Sequence, residues 1–187
     1  MDAPILEGSK LRLEPLTPAH LPVLEAVAFG SGIWRYMLQD VKTPGDLRGW
    51  AEAALALPNS IPWVTVLKGE ERVIGSTRFL DLDRHHRTVE IGSTWLHPDF
   101  QGTGLNREAK LLQLTYAFEE LQLNRVAFKT HHENLRSQAA IRALGAVYEG
   151  TFRNHNVMPD GSLRHSVWFS ITKEDWPAVK TRLEGQP

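Results

Sequence analysis

Residues 97–110 read HPDFQGTGLNREAK. An extended stretch ends near His97, helix formers begin at Leu105, and Gly102 and Gly104 lie between them. The first turn of a helix exposes unpaired backbone N–H groups and carries positive partial charge. Glycines just ahead of it let an anion approach that backbone closely. Two readings follow: a phosphate-binding turn, or a tight strand-to-helix connection that needs glycine for its shape alone. Two nucleotide motifs fail here. A dinucleotide fingerprint needs a third glycine at 107, where Arg107 stands, and an acid at a strand end about 20 residues on, where RVAFKT is strand interior. A Walker loop needs Gly-Lys-Ser/Thr, which the chain lacks.

The flanking sequence sets these glycines in a mixed α/β chain. RTVEIGSTWLH (87–97) reads as the strand entering the turn, near 88–97, and LNREAKLLQLTYAFEEL (105–121) as the helix leaving it. That helix has two apolar stripes, Leu105, Ala109, Leu112, Tyr116 and Leu111, Leu114, Phe118, Leu121, a face wide enough to lie on a sheet. RVAFKT returns as a strand, so 88–130 forms a β–helix–β unit with a parallel or splayed strand pair. Upstream, KLRLEPL alternates as a strand over 10–16, and Thr17-Pro18 and Thr43-Pro44 start two helices, the second running to about 57. PWVTVL and RVIGSTRFLDL are strands joined by KGEE. Downstream come a short helix, NLRSQAAIRALGA, the strands VYEGTFRN and HSVWFSI around the turn MPDG, and a terminal helix with Asp175 as its cap. The order is βααβββαβαββ plus that helix, with no repeat or linker.

The 187 residues suit one domain, 1–187. A formal net charge of -1 argues against nucleic-acid and anionic-membrane binding. The absence of cysteine removes a disulfide framework, a thiol nucleophile and thiolate metal sites. MDAPILEGSKLRLEPL does not read as a signal peptide, and no apolar run is long enough to span a bilayer. The expectation is a soluble cytoplasmic protein.

The stretch Gln101, Gly102, Thr103, Gly104, Leu105, Asn106 resembles the Gln/Arg-x-x-Gly-x-Gly/Ala signature of the GCN5-related N-acetyltransferases (GNAT). Asn106 stands where that signature has a small residue. EIGSTWLHPDFQGTG is similar to the fourth strand and loop of the subgroup that acetylates ribosomal-protein N-termini (RimJ/RimL-like). NLRS followed by LGA, GTFRN and PDGSLRHSVWFSI are similar to its later motifs. The resemblance is strongest over 74–172. It implies a GNAT fold: a mixed central sheet of about seven strands, flanking helices, and a splayed strand pair holding acyl-CoA. It also implies acetyl-CoA as co-substrate, its pyrophosphate on residues 101–106, and a possible homodimer.

Acetyl transfer to an amine needs a neutral amine, a stabilised oxyanion and a protonated leaving thiolate. Glu90, between Val89 and Ile91 on the entering strand, is the candidate general base; the alternative is an exposed or salt-bridged strand glutamate near the RHHR loop. Gly92 and Thr94 share its face if the strand alternates. Ser137 is the candidate general acid, with helix capping as the competing role. Asn134 has the same two readings, and by the resemblance it bonds the pantetheine arm. Trp95 and Leu96 are expected to act through backbone groups freed by a bulge, again by the resemblance, or to serve as core. His85–His86 and His131–His132 carry no metal reading, since adjacent strand residues face opposite ways; His131, His132 and His155 are candidates for lining an acceptor pocket. The leading function is an acetyl-CoA-dependent N-acetyltransferase acting on a primary amine, a peptide N-terminus or a small molecule. The alternative is a non-catalytic acyl-CoA-binding regulatory domain on the same fold.

Overall fold

The computed structural model describes residues 3–29 and 32–185. Among these residues eight strands form one sheet in the order β1-β2-β3-β4-β5-β6-β8-β7. They are β1 (Leu6–Glu7), β2 (Leu11–Pro15), β3 (Ile61–Leu67), β4 (Arg72–Asp83), β5 (Thr88–Leu96), β6 (Arg125–His131), β7 (Val147–Val157) and β8 (Leu163–Thr172). The expected seven strands are all present, and the eighth is the two-residue β1, paired to β2 through Leu6↔Leu13 and Glu7↔Arg12. Every pairing is antiparallel except β5 with β6. That parallel pair is the β–helix–β unit legible in the sequence.

Among the described residues five α-helices cover the sheet: α1 (Leu21–Ala28), α2 (Pro44–Ala56), α3 (Leu105–Thr115), α4 (Leu135–Leu144) and α5 (Trp176–Glu184). Apolar residues of α3, α4 and α5 pack on one face with Phe79, Val89, Ile91, Val126, Phe128 and Phe169. Those of α1 and α2 pack on the other with Val64, Val66, Val73 and Trp95. At the start of α2, Thr43 Oγ1 accepts from the Asp46 amide at 3.2 Å and Asp46 Oδ2 accepts from the Thr43 amide at 2.9 Å. This reciprocal cap satisfies two donors at once.

Two local expectations shift. The long helix ends in a π-helical turn, Tyr116–Glu120, with the Leu121 amide donating to the Tyr116 carbonyl. Its buried stripe runs through Leu105, Ala109, Lys110, Gln113 and Leu114, so two polar residues take core positions. Asp175 precedes α5, yet its carboxylate accepts from the amide and hydroxyl of Thr172 and ties down the β8–α5 turn instead of capping the helix. β7 forms one edge of the sheet, with register shifts between Tyr148 and Gly150 and between Phe152 and Asn156. Among the described residues no helix is long and apolar enough to cross a membrane.

Candidate acyl-transfer site

β5 and β6 pair only through Thr88↔Arg125, Val89↔Val126 and Glu90↔Ala127. Beyond that point β5 stays with β4 as far as Leu96, and β6 stays with β8 as far as His131. The two strands therefore open into a cleft with Glu90 at its apex. The residues of β5 past Glu90 turn one backbone edge into this cleft without a strand partner, an arrangement that calls for a ligand to pair with it.

A bulge lies in the same segment. Ser76 pairs with Trp95 and Arg78 with Gly92, so Ser93 and Thr94 together face Thr77. Ser93 has φ 45, strain that persists only where its surroundings fix it. The bulge falls ahead of its expected place: Trp95 and Leu96 themselves pair with Ser76 and Gly75. A Cβ on Gly75 would sit 2.1 Å from the Trp95 carbonyl oxygen and 2.9 Å from Leu96 Cα. Only glycine lets β4 approach the bulged strand so closely. The Trp95 and Leu96 side chains are core on opposite faces, Trp95 against Trp34 and Trp50.

The bulge also redirects Thr94. Gly92 does share a face with Glu90: a Cβ there would lie 2.8 Å from Glu90 Oε1, so the glycine leaves room for the carboxylate. Thr94 does not. Its hydroxyl lies 2.7 Å from Lys110 Nζ of α3, on the opposite face. The extra residue breaks the two-residue alternation on which the expected channel depended.

Beyond β5, Gly102 (φ 79) and Gly104 (φ 86) make the turn into α3. Among the described residues the N–H groups of 102–106 have no acceptor. Among the described residues nothing lies nearer the would-be Cβ of Gly104 than an Arg107 nitrogen at 4.0 Å. Thr103 Oγ1 donates to the Phe100 carbonyl and steadies the turn, while Leu105 buries its side chain below it. Among the described residues Asn106 Oδ1 is buried without a donor, and no side chain caps the helix. Gln101 is already engaged: its Nε2 donates to the Leu96 carbonyl at 2.8 Å, and its Oε1 accepts from Arg136 Nη1 at 2.6 Å. It links the end of β5 to α4 and brings a guanidinium beside the glycine turn.

At the start of α4 the capping question resolves. Asn134 Oδ1 accepts from the Ser137 amide at 3.1 Å, so Asn134 is the cap. The Ser137 hydroxyl takes no capping role.

Glu90 is 4% exposed. Burial raises its pKa, and Lys129 opposes that rise. Lys129 Nζ stands 2.9 Å from Glu90 Oε2, an ion pair by distance whose angles fall short of a hydrogen bond. Lys129 also lies over the Trp168 ring. On the same face the rings of His131 and His132 stack at 4.5 Å, because β6 ends at His131 and the chain turns instead of alternating. His132 in turn meets His165, and Tyr36 packs on His131. Burial lowers the pKa of both His131 and His155. Arg164 Nη1 donates to the Tyr36 carbonyl at 3.1 Å and holds the segment before α2 over this cluster. Next to Tyr36 a cavity of about 470 Å³ opens, lined by Trp34, Arg35, Met37, Lys42, Met158 and Asp160. Among the described residues no group of three or more metal-ligating side chains occurs.

Three residues escaped the sequence reading. Lys110 carried a usable signal, a lysine inside the apolar arc of an amphipathic helix. Lys129 and Arg136 carried none, since pairing with Glu90 and Gln101 depends on strand and helix placement.

A family model described as an acetyltransferase (GNAT) domain matches residues 10–147. The chain is 36% identical over 100 residues to the "Putative ribosomal N-acetyltransferase YdaF" of Bacillus subtilis, a match covering 54% of each protein, so it spans about half of that relative. It is 29% identical over 190 residues to the FsC-acetyl coenzyme A-N(2)-transacetylase of Aspergillus fumigatus, covering 92% of this chain and 78% of that one. A GCN5-related N-acetyltransferase from Brucella melitensis superposes with a TM-score of 0.92 at 27% identity, covering 99% of this chain and 86% of that chain. With a matched model over most of its length, the cleft between β5 and β6 and the glycine turn ahead of α3, the chain belongs to the acetyltransferase (GNAT) family.

Proposed function

We propose that this single-domain chain transfers an acetyl group from acetyl-CoA to a primary amine, on a peptide N-terminus or a small molecule, by direct attack of the amine on the thioester. The observation that carries the reading is the opening of β5 from β6 at Glu90, which aligns a buried carboxylate, a bulged strand edge and the glycine turn along one cleft. The residues fit acetyl-CoA: residues 102–106 offer five N–H donors and open space to the pyrophosphate, with Arg136 alongside as a cation. Acetyl-CoA supplies the activated acyl carbon.

The chain's own groups do the rest. Glu90 takes a proton from the incoming ammonium, directly or through water, and its burial keeps it basic enough for the task. The cleft-facing backbone past the bulge holds the thioester in line and donates to the oxygen that gains charge. The Ser137 hydroxyl, free of capping, hands a proton to the leaving sulfur. The acceptor arrives from the cavity beside Tyr36, past His131 and His155. The test is a screen of amine classes with acetyl-CoA, reading free thiol release. Acceptor-dependent release supports transfer. Tight binding of acetyl-CoA with no release above hydrolysis across all classes would support the binding-only alternative.

A further inference from the structure

Lys110 is 4% exposed, in the second turn of α3, yet among the described residues it pairs with no carboxylate. Its Nζ contacts three neutral oxygens: Thr77 Oγ1 of β4 at 2.8 Å, Thr94 Oγ1 in the bulge of β5 at 2.7 Å, and Gln113 Oε1 of α3 at 2.9 Å. Thr77 and Thr94 are themselves 2.7 Å apart, and Thr77 donates to Gln113 at 3.1 Å. Four side chains from three elements close one network under the bulge. A buried amine is a poor choice for stability alone, because an apolar side chain of similar volume avoids its desolvation. The network therefore calls for a role beyond filling the core.

We infer that Lys110 is a positioning residue: by tying Thr94 to the second turn of α3, it fixes the bulged strand edge relative to the glycine turn, so that one acyl-CoA engages both ends of the cleft in register. The inference rests on the acyl-CoA reading above. Thr94 adjoins Ser93, whose φ of 45 needs external support. Trp95 and Leu96, the cleft-lining backbone beyond it, follow directly in the chain. Six residues before Lys110, at the N-cap of α3, stands Gly104. Lys110 thus joins the thioester end to the pyrophosphate end through a single side chain. Loosening that joint leaves the phosphate contacts intact and misplaces the reacting carbonyl, and a displacement near 1 Å costs on the order of a hundredfold in rate.

Two near-isosteric variants probe the joint from either side, Lys110→Met and Thr94→Val. The measurements are the acetyl-CoA Kd by calorimetry, kcat and KM with an acceptor from the amine screen, and the carbonyl ¹³C shift of bound [1-¹³C]acetyl-CoA. Both variants are expected to keep Kd and KM for acetyl-CoA within about threefold of the parent, to lose roughly ten- to a hundredfold in kcat, and to move the bound carbonyl shift toward its free value. Thr94→Ser, which keeps the hydroxyl, should recover most of the rate lost in Thr94→Val. An unchanged kcat and carbonyl shift in both variants, beside an active parent, overturns the inference and leaves the acyl-CoA reading standing. Equal losses in Kd and kcat with a lowered melting temperature also overturn it, since they mark general loosening. A parent that binds no acetyl-CoA refutes the underlying reading as well. If the parent binds without transferring, the carbonyl shift alone decides.

Discussion

Replacing Lys110 by Met should change how the stability of this protein depends on pH. Burial pushes the Lys110 amine down from 10.5 to about 7, with no carboxylate to offset the desolvation. Below about pH 7 the amine is charged in both folded and unfolded chains. Between 7 and 10.5 the folded chain carries it neutral while the unfolded chain still binds the proton. Stability then rises with pH, by up to about 1.4 kcal/mol per pH unit. The whole window corresponds to roughly 5 kcal/mol as an upper bound, because relaxation around a buried charge reduces it. Lys110→Met removes this dependence. Urea unfolding at pH 6, 7, 8 and 9, followed by fluorescence of the six tryptophans, should find the variant's advantage over the parent greatest at pH 6 and shrinking by roughly 2–3 kcal/mol between pH 7 and 9. Other titrating groups, such as His131 and His155, are common to both proteins and drop out of the difference. Parallel stability curves over that range would refute the argument, since they would mean that the buried amine does not change protonation there.

Glu90→Gln should lower kcat by about a hundredfold and flatten the acidic limb of the pH–rate profile; a near-parent rate with an unchanged limb removes Glu90 as the base. Lys129 opposes the burial-driven rise of the Glu90 pKa, so Lys129→Met should move that acidic limb to higher pH, and a shift to lower pH contradicts the ion pair. Ser137→Ala should reduce kcat with little change in acetyl-CoA affinity; lost stability with unchanged turnover would assign the hydroxyl a structural role that its contacts do not suggest. Gly104 has φ 86, so a β-branched substitution strains the backbone whatever binds there. Asn tolerates that conformation, and Gly104→Asn should weaken coenzyme A binding in calorimetry by about tenfold or more through bulk alone; parent-like affinity would move the phosphate elsewhere.

The sequence carried the fold because its punctuation is local. Thr43-Pro44 and the glycine pair at 102 and 104 each mark an element boundary within a few residues, and the alternation of 10–16 marks a strand. The candidate site was legible where it follows the chain: Glu90 lies on a strand, the glycines in a turn and Ser137 in the first turn of a helix, each element already placed by pattern. It was not legible where contacts cross the sheet. A single extra residue at Ser93 sends Thr94 to the face opposite Glu90, and no periodicity count foretells a bulge. The partners of Lys110 come from three elements, and Lys129 reaches Glu90 only because β6 lies parallel to β5. The stacked His131 and His132 make the same point at a strand's end, where alternation stops applying.

β7 has a consequence for how this protein behaves at high concentration. It is an 11-residue edge strand with Tyr148, Phe152 and Val157 each more than half exposed. A straight edge of that length and character would be a template for sheet-to-sheet growth. Its two register shifts and the positive φ of Asn154 bend the strand and interrupt its row of free amides and carbonyls. A second sheet could not zip along it in register. The same irregularities that look like flaws in the ladder keep a sticky rim from seeding aggregates, and straightening β7 by design would trade that protection for a neater sheet.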